Sequence, residues 1–94
     1  MPPAPTPIFY KDPNDKLNYG VDWSTWLDSG DTIATSEWEV PSPLVNEDES
    51  NTTTTTAILL SGGVPGGQYN VRNRITTALG YIKDQTLLMI VREN

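Results

Sequence analysis

Apolar and polar residues alternate with a period of two along most of the chain, the pattern of β-strands with one face buried. Leu17, Tyr19, Val21 and Trp23 fall on one side of the first such segment, with Asn18, Gly20 and Asp22 on the other. Asp22–Leu27 then reads as one helical turn or wide corner, with Asp22 placed to cap it. Asp28–Asp31 is a second turn. Thr32–Val40 is a strand whose inward positions shift from odd (Ile33) to even (Ser36, Trp38, Val40), so a bulge is expected near Ala34–Thr35. Pro41 and Pro43 end it. Leu44 and Val45 read as a very short edge strand, followed by an acidic loop, Asn46–Ser50. Thr52–Leu60 is β-branched and then aliphatic, hence a strand. Ser61–Gly67 is a glycine-rich turn. Tyr69, Val71, Asn73, Ile75 and Thr77 mark the inward face of a long strand, Ala78–Asp84 a hairpin loop, and Gln85–Arg92 a closing strand. Six or seven short strands at spacings near a dozen residues, without a helix, predict an all-β antiparallel sandwich or barrel.

The first ten residues follow another rule. Pro2, Pro3, Pro5 and Pro7 stiffen them into an extended, polyproline-like arm that cannot be a central strand, because proline lacks the backbone N–H. Ile8, Phe9 and Tyr10 follow directly. Their bulk implies that the arm's end docks, either on the domain's own edge or on a neighbour. The expected organisation is an arm over residues 1–10 and one domain over residues 11–94, joined by a turn at Lys11–Lys16.

Composition narrows the function. At 94 residues the chain is one domain. It has no Cys and no His, so disulfides, thiolate metal sites and imidazole chemistry are excluded. Six basic residues against twelve acidic ones leave a net charge of −6, which argues against binding nucleic-acid backbones. The longest apolar run, Leu87–Val91, is far short of the roughly 20 residues of a membrane-spanning helix, and Met1–Pro7 has no secretion-signal pattern.

Two resemblances follow from particular residues. Gly66-Gly-Gln-Tyr-Asn-Val71 resembles the penultimate strand of immunoglobulin-like and fibronectin type III-like domains, where the Tyr hydroxyl bonds back to the preceding corner. That resemblance implies a sandwich of about seven strands, with Tyr69 as the corner tyrosine, Trp38 as the central core tryptophan and Val71 in the core. The Cys pair of antibody domains is absent. More narrowly, Tyr10-Lys-Asp-Pro13, Asn18-Tyr-Gly-Val-Asp-Trp-Ser-Thr-Trp-Leu27, Thr32-Ile-Ala-Thr-Ser-Glu-Trp-Glu-Val40, Leu60-Ser-Gly-Gly63 and Gly67-Gln-Tyr-Asn-Val-Arg-Asn-Arg-Ile-Thr-Thr77 resemble a family of small tailed-phage structural proteins. The family includes head decoration, head–tail connector and fibre–tail adaptor proteins. The resemblance implies a non-enzymatic virion component whose partners are capsid, neck or tail subunits, arranged as a homo-oligomer or symmetric array. Capsid decoration is the leading expectation, with a connector or fibre–tail adaptor as its alternative.

No residue pattern calls for catalysis or a cofactor. Asp12, Asn14 and Asp15 resemble the start of a calcium loop, but Lys16 and Leu17 stand where an oxygen ligand and Gly are required. Glu47–Glu49 reads as solvated charge. Asp22, Asp28, Asp31, Glu37 and Glu39 fall in turns or on outward faces, and Ser24 and Ser61 have no base. The Ser61–Gly67 turn lacks the Lys-Ser/Thr ending of a phosphate loop, and a strand follows it. Trp23 and Trp26 either plug one end of the sandwich or, with Tyr81, form a platform for sugar rings; a carbohydrate-binding module is thus the alternative from a different class. The candidate partner-binding residues are those of the arm: Pro3, Pro5, Pro7, Ile8, Phe9 and Tyr10.

Overall fold

The computed structural model describes residues 6–93. Among them are seven strands: β1 (Ile8–Lys11), β2 (Leu17–Asp22), β3 (Ile33–Glu39), β4 (Leu44–Asn51), β5 (Thr55–Gly62), β6 (Gln68–Thr77) and β7 (Ile82–Val91). They form two sheets, ordered β1-β7-β6-β3 and β2-β5-β4. All pairings are antiparallel except β1 with β7, which is parallel, Ile8 facing Leu88 and Lys11 facing Val91. This is the immunoglobulin-like arrangement with the first strand carried by the β7 sheet.

The period-two pattern generates the core. On β6 the inward residues Val71, Asn73, Ile75 and Thr77 are buried, and on β7 so are Gln85, Leu87, Met89 and Val91. From the other sheet Leu44, Ile58 and Leu60 meet them. Each of the aliphatic and Met side chains among them contributes roughly 1.5–3 kcal/mol by leaving water. A second, smaller cluster of Trp23, Ile33 and Ile75 closes the end of the sandwich where the β2–β3 corner sits.

Local chemistry sets the corners. The Asp22 carboxylate accepts from the Ser24 N–H (2.9 Å), and the Trp23 carbonyl accepts from Trp26 and Leu27, closing the expected turn. Hydrogen bonding from the Ser24 side chain first, and then from its backbone N–H, holds the exposed Asp22 carboxyl below its usual range. The register on β3 slips between Ile33 and Thr35, at the expected bulge.

Ile8–Lys11, expected as the end of the arm and the start of a turn, form the strand β1 of the sandwich itself, and two further segments depart from the sequence reading. The acidic run is not a loop: β4 continues through it to Asn51, with a bulge between Asn46 and Asp48. A ladder on β5 needs only backbone groups, so side-chain polarity did not reveal it. On an edge strand the carboxylates of Glu47, Asp48 and Glu49 also oppose pairing with further strands. In addition, β7 begins at Ile82, which shortens the hairpin loop to 78–81.

At the centre of the interface lies a polar residue. Asn73 is fully buried. Its Oδ1 accepts from the Trp23 indole N–H (3.0 Å) and the Thr56 hydroxyl (2.7 Å). Its Nδ2 donates to the Ser36 hydroxyl (3.0 Å) and the Glu37 carbonyl (2.9 Å). One side chain thereby ties β6 to β3, to β5 across the interface and to the β2–β3 corner, with its amide satisfied as a buried polar group requires.

Candidate partner-binding surfaces

Of the arm residues singled out from sequence, Pro3 and Pro5 lie outside the described residues. Pro7, Ile8, Phe9 and Tyr10 lie along the outer edge of β7. The Pro7 carbonyl accepts from the Leu88 N–H (2.9 Å). Continuing the parallel ladder would require a residue-7 N–H to reach the Thr86 carbonyl, and proline has none. The Gln85 side-chain amide donates to that carbonyl instead (3.1 Å). β1 is therefore short, and no described residue pairs with β7 on this side before Leu88.

Along β1, Phe9 turns inward and stacks edge-on against Tyr19 of β2, with centroids 5.3 Å apart. Ile8 and Tyr10 face out, 54% and 56% exposed. The Arg92 guanidinium lies over the Tyr10 ring at 4.0 Å, a cation–π contact. Pro7, Phe9, Gly20, Val21, Asp22, Gln85 and Leu87 line an open, mainly apolar groove of about 270 Å³ between the β1–β7 edge and β2. The opposite side of the sandwich, β3 with β4, carries Glu37, Glu39, Glu47, Asp48 and Glu49. The two flanks thus differ: one apolar with backbone available, one acidic and closed to strand addition.

Lys11 anchors β1. It is wholly buried, and its ammonium donates to the carbonyls of Gly62 (2.7 Å) and Asp12 (2.9 Å). Burial lowers its pKa; Asp15 and Asp12 oppose that shift. Nearby, burial and then Asp15 raise the pKa of Tyr19, whose hydroxyl has no partner among the described residues.

Tyr69 is half-buried, and its hydroxyl accepts from the Val64 N–H (3.3 Å), closing the β5–β6 corner. A Cβ at Gly67 would collide with that hydroxyl, which explains the glycine. Val71 is fully buried. Trp38 is half-buried on the edge strand β3, its indole N–H enclosed without a partner. Trp38 packs against the main core, while Trp23, at 3% exposure, is the more enclosed ring and belongs to the smaller cluster at the end of the sandwich. An edge strand leaves a large ring uncovered on one flank, whereas the corner holding Trp23 is capped on all sides. Trp26 packs edge-on against Trp23 (5.6 Å) and stays half-buried, while Tyr81 is exposed. With Trp23 enclosed, the three-ring sugar platform does not form.

The sequence reading overlooked the hairpin end. Leu79, Tyr81 and Ile82 are 53–64% exposed and nearly consecutive, beside a cavity lined by Trp26, Asp28, Asp31 and Tyr81. The only signal was three bulky apolar residues, Leu79, Tyr81 and Ile82, in a segment assigned to a loop.

A family model described as podophage GP4 fiber-tail adaptor protein gp77 matches residues 11–90. The chain belongs to the gp77 fibre–tail adaptor family. The match spans β2 to β6 of this gp77-family chain whole and β7 up to Ile90, and takes in only Lys11 of β1. It favours the adaptor alternative of the sequence reading over capsid decoration, because the family is described by its adaptor role. Among solved structures, the PKD domain from KIAA 1837 protein is similar with a TM-score of 0.57 and 16% identity, covering 100% of this chain and 93% of that one. At that identity the likeness speaks for the immunoglobulin-like sandwich alone. No curated protein matches.

Proposed function

We propose that this gp77-family chain is a non-enzymatic structural subunit of a podophage virion, joining fibre to tail by shape complementarity. The family match over residues 11–90 carries this reading. The asymmetry of the flanks supports it: the acidic β3–β4 side resists strand addition, and the β1–β2 side offers Ile8, Tyr10, Leu17 and the groove to a neighbouring subunit. Of the proline-rich arm expected over residues 1–10, Ile8–Tyr10 are already taken up in β1, and the proline run ahead of them adds a pre-stiffened segment that loses little entropy on docking. Copies arranged as a homo-oligomer or symmetric array would gain avidity from many weak contacts.

Quantitative mass spectrometry of purified particles tests the placement. A few copies per particle are expected, in a fixed ratio to tail and fibre subunits. A ratio near one-to-one with the major capsid protein would instead mean shell decoration, and absence from particles would overturn the virion reading.

A further inference from the structure

The cavity at the hairpin end measures about 220 Å³ and is lined by Trp26, Asp28, Asp31 and Tyr81. Asp31 is 7% exposed. Its Oδ1 accepts from the N–H groups of Thr32 (2.8 Å) and Leu79 (3.2 Å), which fix the carboxylate in place. Its Oδ2 is buried with no hydrogen-bond partner among the described residues. A buried carboxylate oxygen without a donor is costly, because it has lost water and gained nothing in exchange. The lining contains two carboxylates, two aromatic rings and no cationic side chain. Leu79 and Ile82 make the surroundings apolar and exposed, 63% and 64%.

We propose that this cavity receives the basic side chain of a neighbouring protein subunit, above all an arginine guanidinium. A guanidinium donates in a planar fork, matches carboxylate geometry and stacks on aromatic faces. The carboxylates of Asp28 and Asp31 supply the charge, Asp31 Oδ2 the unmet acceptor, and Trp26 and Tyr81 the walls. Leu79 and Ile82 form an apolar surface that excludes water around the inserted group, as in a protein–protein hot spot. A hard divalent cation fits poorly, because it needs six or more oxygen ligands and two of the four walls are aromatic carbon. The proposal rests on the adaptor reading only in assigning the side chain to another virion subunit. The cavity itself can be tested on the isolated chain, so failure here leaves the particle stoichiometry untouched.

The test is an NMR titration of the full-length, isotope-labelled chain with Nα-acetyl-arginine methylamide, at constant ionic strength. Saturable shifts are expected at the backbone N–H groups of Thr32 and Leu79 and at the Trp26 indole, with millimolar affinity. Asp31→Asn keeps an Oδ1 acceptor for both backbone groups and should weaken binding about tenfold. The exposed variants Asp28→Asn and Tyr81→Ala should each weaken it several-fold, and they keep the test decisive if the buried substitution fails to fold. Shifts spread evenly over the acidic surface, or affinity unchanged in all three variants, would overturn the proposal. So would tighter binding of methyl β-glucoside or calcium at the same residues.

Discussion

Replacing Asn73 by Ala removes a side chain that bonds to both sheets and to the β2–β3 corner. Four hydrogen bonds disappear, but their losses are unequal. Ser36 and Glu37 sit on the edge strand β3, where the freed hydroxyl and carbonyl can turn to water. The Trp23 indole N–H and the Thr56 hydroxyl cannot, because both residues are at most 3% exposed. Leaving each buried donor unsatisfied costs about 1–3 kcal/mol. The hydroxyl can rotate toward another acceptor and the indole cannot, so the loss centres on about 3–4 kcal/mol. A domain of this size loses about 4–8 °C in Tm per kcal/mol, so Asn73→Ala should melt about 12–30 °C lower. Equilibrium urea denaturation gives the free energy, and an unchanged m-value shows that the unfolded reference is the same. A double-mutant cycle isolates the cause. In a Trp23→Phe background no indole N–H is stranded, so Asn73→Ala should cost about 1–2 kcal/mol less than in the wild type. A wild-type loss below about 1 kcal/mol, or strict additivity with Trp23→Phe, would refute the view of Asn73 as a required acceptor.

Tyr69→Phe removes the acceptor for the Val64 N–H and should lower stability by about 1 kcal/mol, read from the same urea curves; an unchanged midpoint would mean that the corner holds by packing alone. Tyr19→Phe deletes a buried hydroxyl that has no partner and should raise stability by a few tenths to about 1 kcal/mol. The Tyr19 pKa is raised, so its contribution is intact below about pH 10 and is lost as pH climbs toward the folded-state value; Tyr19→Phe should flatten that alkaline decline. Lys11 has the opposite sign: its lowered pKa means that stability rises with pH between the folded value and 10.5, and Lys11→Met should abolish this rise. Deleting residues 1–5 leaves β1 whole and should not move Tm, yet should weaken attachment to particles in a co-sedimentation assay; equal attachment would confine the docking function to the described residues.

The alternation of Leu17–Trp23, Tyr69–Thr77 and Gln85–Val91 was enough to establish strands, their inward faces and an all-β sandwich, because a half-buried strand exposes its period directly. The bulge near Ala34–Thr35 was visible as a change of parity, and the Asp22 corner as a capping residue. β1 was harder to see: four residues behind a proline run carry too little pattern, and only pairing with β7 makes them a strand. The acidic β4 was misjudged because ladder bonds are made by backbone and leave no trace in side-chain polarity. Sequence placed Asn73 on the inward side without a reason; the fold supplied one, by bringing Trp23, Thr56, Ser36 and Glu37 from three other parts of the chain to within hydrogen-bond distance. It also decided which tryptophan is enclosed, sealing Trp23 at a corner and leaving Trp38 on an edge, a distinction set by what lies beside each strand. The hairpin-end cavity was likewise settled by tertiary structure, since Trp26, Asp31 and Tyr81 come from two loops that only the closed sandwich sets side by side.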